Sequence, residues 1–327
     1  MQDEPAGVSA QALAALLRER WGFPVTGLRY APVGFGDYHW TADGRDGERW
    51  FITVKDPDEH DHDPGGSAAI AEDLVATMTA AARLAAAGLE FVVAPLPTLG
   101  GTLVEGLAPH YCVTAFPHID AAAADWGDTY TAQDRAAVID MLARLHREPA
   151  DPGLPVRAAA VPWREFLDGV AGGAALDWDD GPYAAAARDL AEGHRPALGR
   201  GLRRLDELGV ALTAEAAPLV ITHGEPHPGN VLRTGPERLL IDWDTAGLAW
   251  PERDLWSVIQ AGTEDAAHYE AATGHRPDPR AIEMYALLWA LWDIGAFLRR
   301  FSGPHEESPD SVTAWEGLIE SFGDLMR

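Results

Sequence analysis

The spacing of apolar residues over the first 120 positions changes from helical to extended and back. Residues 9–20 (SAQALAALLRER) repeat apolar side chains every three or four positions behind Ser9, which predicts a capped helix ending near Gly22. Three strand-like runs follow, GLRYAPV, DYHWTA and RWFITVK, separated by the turn-forming stretches GFGD and DGRDGE. These runs predict a small antiparallel sheet.

An alanine-rich segment then interrupts the strands. Residues 67–87 predict one long helix closed by Gly88, after a polar stretch, DEHDHDPGG, at 58–66. Two further strands are predicted at about 102–106 and 110–116. The N-terminal part of the chain is therefore expected to be rich in strands, with one long helix.

The remainder of the chain is mainly helical in its periodicity. Residues 131–147 form an amphipathic pattern behind a capping Thr131, residues 151–218 look helical with Pro and Gly breaks, and IEMYALLWALWDIGAFL predicts a core helix. The exception is a hairpin region, in which PLVIT precedes a polar loop, NVLRT and RLLIDWD. The pattern predicts an α+β fold with two lobes: a small antiparallel-sheet lobe at 1–116 and a larger, mainly helical lobe at 117–327.

Composition narrows the function classes. The 327 residues are 47% hydrophobic and 23% charged, with a formal net charge of −26, so neither nucleic acid nor an anionic membrane is expected as a partner. The single cysteine, Cys112, excludes an internal disulfide framework. The first residues lack the basic and apolar regions of a signal peptide, and no run of 18 apolar residues occurs. We expect a cytoplasmic protein.

The polar loop ITHGEPHPGNVL at 221–232 is the strongest chemical signal. Glu225 and Asn230 lie five residues apart on it, and Asp242 ends the hairpin that starts directly after Asn230. Because a hairpin returns to its start, Asp242 should lie beside Asn230. An amide and a carboxylate oxygen suit Mg²⁺, and Glu225 could orient and deprotonate a nucleophile, as phosphoryl transfer requires. Asp244 is the alternative metal ligand.

HGEPHPGN followed by IDWD resembles the catalytic loop and metal-binding segment of the aminoglycoside phosphotransferase family, relatives of the protein kinases whose usual loop is HGDxHxxN. PERDLW, at 251–256, also matches the family pattern, and together with the WGD after 125 it is similar to the spectinomycin phosphotransferase branch. The resemblance is strong over about 218–256. It implies a protein-kinase-like fold and Mg²⁺-dependent transfer of the γ-phosphoryl group of ATP or GTP to a hydroxyl of a small molecule.

In the C-terminal lobe the resemblance implies that Asn230 and Asp242 bind magnesium. Glu225 would then occupy the position of the catalytic base, while His223 and Asp254 would brace the loop. Glutamate has one methylene more than the usual aspartate, and misplacing a catalytic group by about 1 Å can cost on the order of a hundredfold in rate. An active enzyme therefore needs a compensating loop path; the alternative is a nucleotide-binding pseudokinase.

In the N-terminal lobe the resemblance implies the contacts with the nucleotide. Lys55 would contact the phosphates and pair with Glu72 on the following helix, with Asp73 as the alternative partner. Backbone groups near Thr114 and Phe116 would hold the base, and two glycines would form the turn over the phosphates, Gly34 and Gly36.

The acceptor is expected to be a cationic, amine-bearing small molecule such as an aminoglycoside antibiotic, with a metabolic amino sugar or amino alcohol as the alternative. Carboxylates of the C-terminal lobe could hold its amines, or they could form a solvated acidic face; they are Asp177, Asp179, Asp180, Glu252, Glu264, Asp265, Glu283 and Asp293. Three tryptophans could line its pocket, Trp126, Trp289 and Trp292. The acidic run at 58–63 could bind a metal, but a solvated loop is the more common outcome for such a sequence.

Overall fold

The computed structural model describes residues 1–59, 66–121, 124, 127–174, 178, 181–213 and 218–326. Its N-terminal segment forms the predicted antiparallel sheet, in the order β1-β2-β3-β5-β4. The strands are β1 (Gly27–Tyr30), β2 (Tyr38–Asp43), β3 (Arg49–Lys55), β4 (Glu105–Leu107) and β5 (Tyr111–Pro117). The register of β3 with β5 places Lys55 opposite Cys112.

The sheet is covered on one face by the first helix. Helix α1 (Ala10–Leu16) continues as a π-helical turn, Leu17–Trp21, and the Ser9 side chain accepts the Ala12 N–H as the predicted cap. Alternate residues of β2 are buried, as expected for a strand with one face in a core. Fully buried Leu13 packs in one cluster with the strand residue Ile52, so the helix and the sheet share a core.

Two longer helices follow the predicted boundaries closely. Helix α2 (Gly66–Ala86) lies between β3 and β4, and helix α3 (Ala132–Leu145) follows β5. The Thr131 side chain accepts the N–H of Asp134 and donates its hydroxyl to the Asp134 carboxylate. This reciprocal pair satisfies donors at the start of α3.

The region around the polar loop contains two small sheets. Strands β7 (Val231–Thr234) and β8 (Glu237–Leu240) form the predicted hairpin. Strand β6 (Val220–Thr222), however, pairs with a three-residue strand, β9 (Gly247–Ala249), which the sequence pattern did not predict. The short helices α6 (Glu252–Leu255) and α7 (Asp265–Thr273) follow.

The chain divides into two compact units, each made of two segments: unit 1 is Met1–Arg157 with Leu219–Arg276, and unit 2 is Ala158–Pro218 with Pro277–Arg327. This division differs from the expected lobe boundary at 116/117, which stays a prediction. One reason for the difference lies inside unit 1, where the β8 residue Leu240 donates to Phe91 O (2.7 Å) and accepts from Val93 N–H (3.0 Å).

The regular elements of unit 2, among its described residues, are all helices. It consists of α4 (Arg164–Gly172), α5 (Ala184–Thr213), α8 (Pro279–Ser302) and α9 (Pro309–Leu325). Helix α8 is long and apolar enough to cross a membrane. It packs against α5 and α9, however, and Leu291, Ile294 and Leu298 on it are fully buried. These contacts are those of a core helix.

Candidate active site

A buried carboxylate binds the first residues of the loop between β6 and β7. Asp254 on α6 is fully buried and accepts the backbone N–H groups of His223 (2.9 Å) and Gly224 (2.6 Å). Gly224 has a φ of +104°, and a Cβ at this position would lie 2.5 Å from the Arg253 guanidinium. The backbone conformation disfavours any residue with a side chain, and a Cβ would have to displace the Arg253 guanidinium.

His223 joins this loop to the segment that leads to Asp242. Its Nε2 donates to Ile241 O (2.8 Å), and its Nδ1 accepts the N–H of Glu225 (3.2 Å). The two contacts fix one tautomer of the ring. Burial lowers the pKa of His223, so the ring stays neutral and acts as a structural link.

A buried chain of hydrogen bonds supports Asp254. His146, just after α3, lies 3.0 Å from Asp254 through Nε2 and 2.6 Å from the Tyr269 hydroxyl through Nδ1. Burial raises the pKa of Tyr269, so its hydroxyl stays protonated and donates to the histidine. Burial alone would raise the pKa of Asp254, but the hydrogen bond from His146 and the charge of Arg253 outweigh it and hold that pKa below its usual range. Sequence reasoning missed His146 and Tyr269, since nothing in the local pattern distinguishes them.

Glu225 has a backbone held from two sides. Its carbonyl accepts from Asn230 Nδ2 (3.1 Å), and the carbonyl of the next residue, Pro226, accepts from the Tyr130 hydroxyl (2.7 Å). The Glu225 side chain is 27% exposed, and its Oε2 lies 3.9 Å from His227 Nε2. Burial lowers the pKa of His227 to about 3, so no imidazolium neutralises the Glu225 carboxylate.

Asn230 and Asp242 are neighbours across the base of the β7–β8 hairpin, as its register predicts. The Ile241 N–H donates to Asn230 O (3.1 Å), directly before Asp242. No described donor reaches the Asn230 Oδ1, because the amide nitrogen makes the contact with the loop. Asp242 has a φ of +65°, an unusual backbone conformation for a residue with a side chain.

Three carboxylates and one compensating lysine gather near the carboxylate of Asp242. Asp242 stays accessible to solvent, but the surrounding protein removes much of its hydration. This loss, followed by the charges of Asp244, Glu225 and Asp37, raises the pKa of Asp242 well above its usual range, against the opposing charge of Lys55. Such a concentration of oxygen ligands and negative charge fits a hard divalent cation such as Mg²⁺.

The partners of Lys55 differ from those expected. Its Nζ lies 2.9 Å from Asp37 Oδ1 and 2.9 Å from Asp244 Oδ2. Burial alone would lower the pKa of Lys55, but these two carboxylates outweigh it and raise the pKa above its usual range. The expected Lys55–Glu72 pair is absent from the ion pairs of the described residues. The reason is geometric, because Glu72 is on the exposed side of α2, whereas Asp37 and Asp244 converge on the lysine.

Asp73, the alternative partner, contacts an arginine that sequence reasoning did not single out. Arg157 Nη2 lies 2.8 Å from Asp73 Oδ2. The same guanidinium donates to Ala246 O through Nε (3.1 Å) and Nη2 (2.8 Å). Arg157 therefore links α2 to the turn that follows Asp242.

The remaining predicted nucleotide contacts lie on the sheet. Gly34 and Gly36 have φ values of +69° and +112° in the turn between β1 and β2, which is the backbone freedom expected of them. On β5, Ala115 O accepts from Leu96 N–H (2.7 Å) on the side away from β3. Since backbone groups alternate along a strand, those of Thr114 and Phe116 face β3. The expected contact of the backbone near Thr114 and Phe116 with the base stays a prediction.

Several acids proposed to hold the acceptor already have basic partners. Glu252 pairs with His275 (2.8 Å), Asp265 with Arg135 (2.7 Å) and Glu283 with Arg204 (2.7 Å). Asp293 instead accepts hydrogen bonds from Trp289 and Ser321, Glu264 is exposed, and Trp292 is 38% exposed. Four predicted residues lie outside the described part of the chain: Trp126, Asp177, Asp179 and Asp180.

The acidic run at 58–63 is described only in part, since His60, Asp61, His62 and Asp63 lie outside the described residues. Its first member, Asp58, lies 3.6 Å from His110 Nδ1, and Asp56 lies 3.0 Å from His110 Nε2. The two carboxylates contact different nitrogens of one ring. In the described residues the His110 ring therefore bridges two carboxylates.

A five-stranded sheet with a buried lysine, followed by a loop with a carboxylate, an amide and a second carboxylate, is the arrangement of a nucleotide-dependent phosphotransferase. The chain belongs to the phosphotransferase enzyme family, whose sequence profile matches residues 38–297. It is 31% identical over 307 residues to Protein StrN of Streptomyces griseus, covering 89% of this chain and 85% of that protein. The predicted family and the predicted enzyme class, a small-molecule kinase, are confirmed.

Solved structures share the fold. Spectinomycin phosphotransferase APH(9)-Ia in complex with ADP and spectinomycin superposes with a TM-score of 0.72 at 20% identity, over 98% of each chain. A microcompartment-associated aminopropanol kinase superposes with a TM-score of 0.61 at 16% identity, over 97% of this chain and 99% of that one. These likenesses confirm the predicted α+β, kinase-like fold.

Proposed function

We propose that this phosphotransferase moves the γ-phosphoryl group of ATP or GTP to a hydroxyl of an amine-bearing small molecule, with Mg²⁺ as cofactor. The observation that carries the proposal is the convergence of Glu225, Asn230 and Asp242 around a strongly negative site that contains Lys55. Glu225 and Asp242 share one electrostatic environment, which brings a candidate base and a candidate metal ligand together. Phosphoryl transfer needs both.

The residues present fit the metal and the phosphates. Asn230 Oδ1 and the carboxylate of Asp242, with Asp244 beside it, would hold Mg²⁺, which supplies charge neutralisation for the phosphate oxygens when bound. Lys55 would exchange a carboxylate partner for phosphate oxygens. Its pKa, held above the usual range by Asp244 and Asp37, keeps it cationic for that contact.

Glu225 would accept the proton of the acceptor hydroxyl. The hydroxyl oxygen forms the new bond to the γ-phosphorus, the bond from phosphorus to the bridging oxygen breaks, and the nucleoside diphosphate leaves with that oxygen. The hydrogen bonds of Asn230 and Tyr130 that hold the loop around Glu225 support a competent glutamate, since they fix the backbone from which the longer side chain extends.

The charge of the chain supports an amine-bearing acceptor. The net charge is −26, and the carboxylates around Asp242 outnumber the cations that face them. An acceptor with several amines, such as an aminoglycoside, would be attracted to this field. Phosphorylation of such an antibiotic would be a resistance reaction. The higher TM-score with a spectinomycin phosphotransferase than with an aminopropanol kinase supports an aminoglycoside-like acceptor over a small amino alcohol.

The test is a mass-spectrometric screen with Mg²⁺ and either ATP or GTP against aminoglycosides, spectinomycin, amino sugars, amino alcohols and choline. We expect a product heavier by one phosphoryl group with an amine-bearing cyclic acceptor. The Asp242→Asn variant should abolish it, and Asp140→Asn, an exposed carboxylate paired with His268, should not. Product from an amino alcohol alone would assign a metabolic kinase. Nucleotide binding without any product would contradict the proposal.

Glu225 is tested separately with the isosteric Glu225→Gln. It should lower kcat on the order of a hundredfold or more, because general-base catalysis contributes about 10²–10⁴, while ADP affinity stays unchanged. A Glu225→Gln enzyme with unaltered kcat would remove Glu225 from the base position.

A further inference from the structure

Arg157 starts from a backbone that the sheet fixes firmly. The segment around it runs beside β9: Leu248 N–H donates to Pro155 O (2.8 Å), and Arg157 N–H donates to Leu248 O (2.9 Å). Strand β9 also pairs with β6, which leads into the loop of Glu225. The backbone of Arg157 is therefore hydrogen-bonded to the strands that support the candidate active site.

The side chain crosses β9 at its first residue, Gly247. A Cβ on Gly247 would lie 2.5 Å from Arg157 Cγ, so the missing side chain makes room for the arginine. Beyond this point the guanidinium reaches Ala246 O, Asp73 Oδ2 and, at 3.5 Å, Asp244 O. One planar group thus contacts α2 and two carbonyls of the turn after Asp242, a use suited to the fixed fork of arginine donors.

That turn, at 241–246, lies outside the helices and strands. It contains Asp242, whose φ is +65°, and a residue in this conformation persists only where its surroundings hold it. Its consecutive carbonyls point to two arginines: Arg157 reaches Asp244 O and Ala246 O, and Arg253 donates to Thr245 O (3.0 Å). Two guanidinium groups thus replace the missing backbone partners.

We propose that Arg157 is a positioning residue for binding of the metal–nucleotide complex. Arg157 couples helix α2, through Asp73, to the turn that carries Asp242 and Asp244. The inference rests on the proposed role of Asp242 in holding the metal. In this chain the carboxylate of Asp73 on α2 acts on the site through Arg157. Lys55 pairs instead with Asp37, directly before β2, and with Asp244 of the turn. Removing Arg157 would let the turn relax without removing any ligand.

The experiment measures ADP affinity by calorimetry on the full chain, with saturating Mg²⁺ and with EDTA. Arg157→Gln should weaken Mg²⁺–ADP binding by about tenfold, as expected for coupled neighbouring residues, and change metal-free ADP binding by less than about twofold. Asp73→Asn should weaken Mg²⁺–ADP binding to a lesser extent, and the double variant should match Arg157→Gln. Arg157→Lys, which keeps the charge but loses the fork, should fall between Arg157→Gln and wild type.

The matched control is another ion pair made by α2. Arg83 lies 2.7 Å from Asp151, but its side chain is 66% exposed, so Arg83→Gln should leave Mg²⁺–ADP affinity unchanged. Wild-type Mg²⁺–ADP affinity in Arg157→Gln, an equal loss for metal-free ADP, or additive losses in the double variant would each overturn the inference. If Arg157→Gln does not fold, Arg157→Lys and Asp73→Asn decide by the same criteria. If the ADP affinity of the wild-type protein does not depend on Mg²⁺, that result would instead overturn the proposed function.

Discussion

The buried carboxylate of Asp254 offers a direct test of how the catalytic loop is held. It accepts three hydrogen bonds, from His223 N–H (2.9 Å), Gly224 N–H (2.6 Å) and His146 Nε2 (3.0 Å). In Asp254→Asn one oxygen becomes an NH₂ group, which must face at least one of these donors. A lost hydrogen bond to a charged group costs about 1.5–3 kcal/mol and an orphaned buried donor about 1–3 kcal/mol. We therefore expect a destabilisation of roughly 3–5 kcal/mol.

Urea unfolding monitored by tryptophan fluorescence measures this loss, and kcat for the acceptor found in the screen measures the displacement of the loop. The matched control is Asp140→Asn, whose exposed carboxylate also pairs with a histidine, His268 (2.8 Å); it should change stability by less than about 1 kcal/mol. The pKa of Asp254 is lowered on folding, so wild type should lose stability as the pH falls below about 4. Asp254→Asn should lack that component. A variant within about 1 kcal/mol of wild type at pH 7, with normal kcat, would refute the reasoning.

Three further predictions concern single side chains. Burial raises the pKa of Asp293 to about 7, so between pH of about 4 and about 7 the folded protein keeps a proton that the unfolded chain releases. The stability of the wild type should therefore decrease as the pH rises through this range. Asp293→Asn should be the more stable protein at pH 8. Parallel melting profiles against pH would contradict this. Gly224→Ala, which places a Cβ 2.5 Å from Arg253, should lower kcat on the order of a hundredfold with unchanged ADP affinity; an unaltered kcat would show that the loop adapts. Lys55→Met should remove the positive charge that lies between Asp37 and Asp244, so Mg²⁺ should raise its melting temperature more than that of wild type. An equal rise would count against a shared charge cluster.

Local signals were enough to predict much of the fold. Alternating burial in β2 follows directly from the apolar pattern, and the caps at Ser9 and Thr131 were identified from side chains that bond to nearby backbone. The proximity of Asn230 and Asp242 also followed from local reasoning, since the β7–β8 hairpin fixes which residues meet at its base.

The errors came from contacts that depend on distant segments. The choice between Glu72 and Asp73 as partner of Lys55 required the rotation of α2 about its axis, and the actual partners, Asp37 and Asp244, come from two other loops. Strand β9 is only three residues long, so its pairing with β6 had no periodic signal. Arg157 was missed for a similar reason: it lies in an irregular segment, and its position depends on Gly247, some ninety residues later.

The interleaved path of the chain has a consequence for biosynthesis. Synthesis delivers residues 158–218, with α4 and α5, before the second half of unit 1 and long before α8 and α9. Unit 1 can close once residue 276 has left the ribosome, but the apolar faces of α4 and α5 must wait for the following fifty residues. Nascent chains that expose such surfaces are prone to aggregate and to engage chaperones. A chain released after residue 276 would therefore keep every candidate catalytic residue and still be a substrate for quality control.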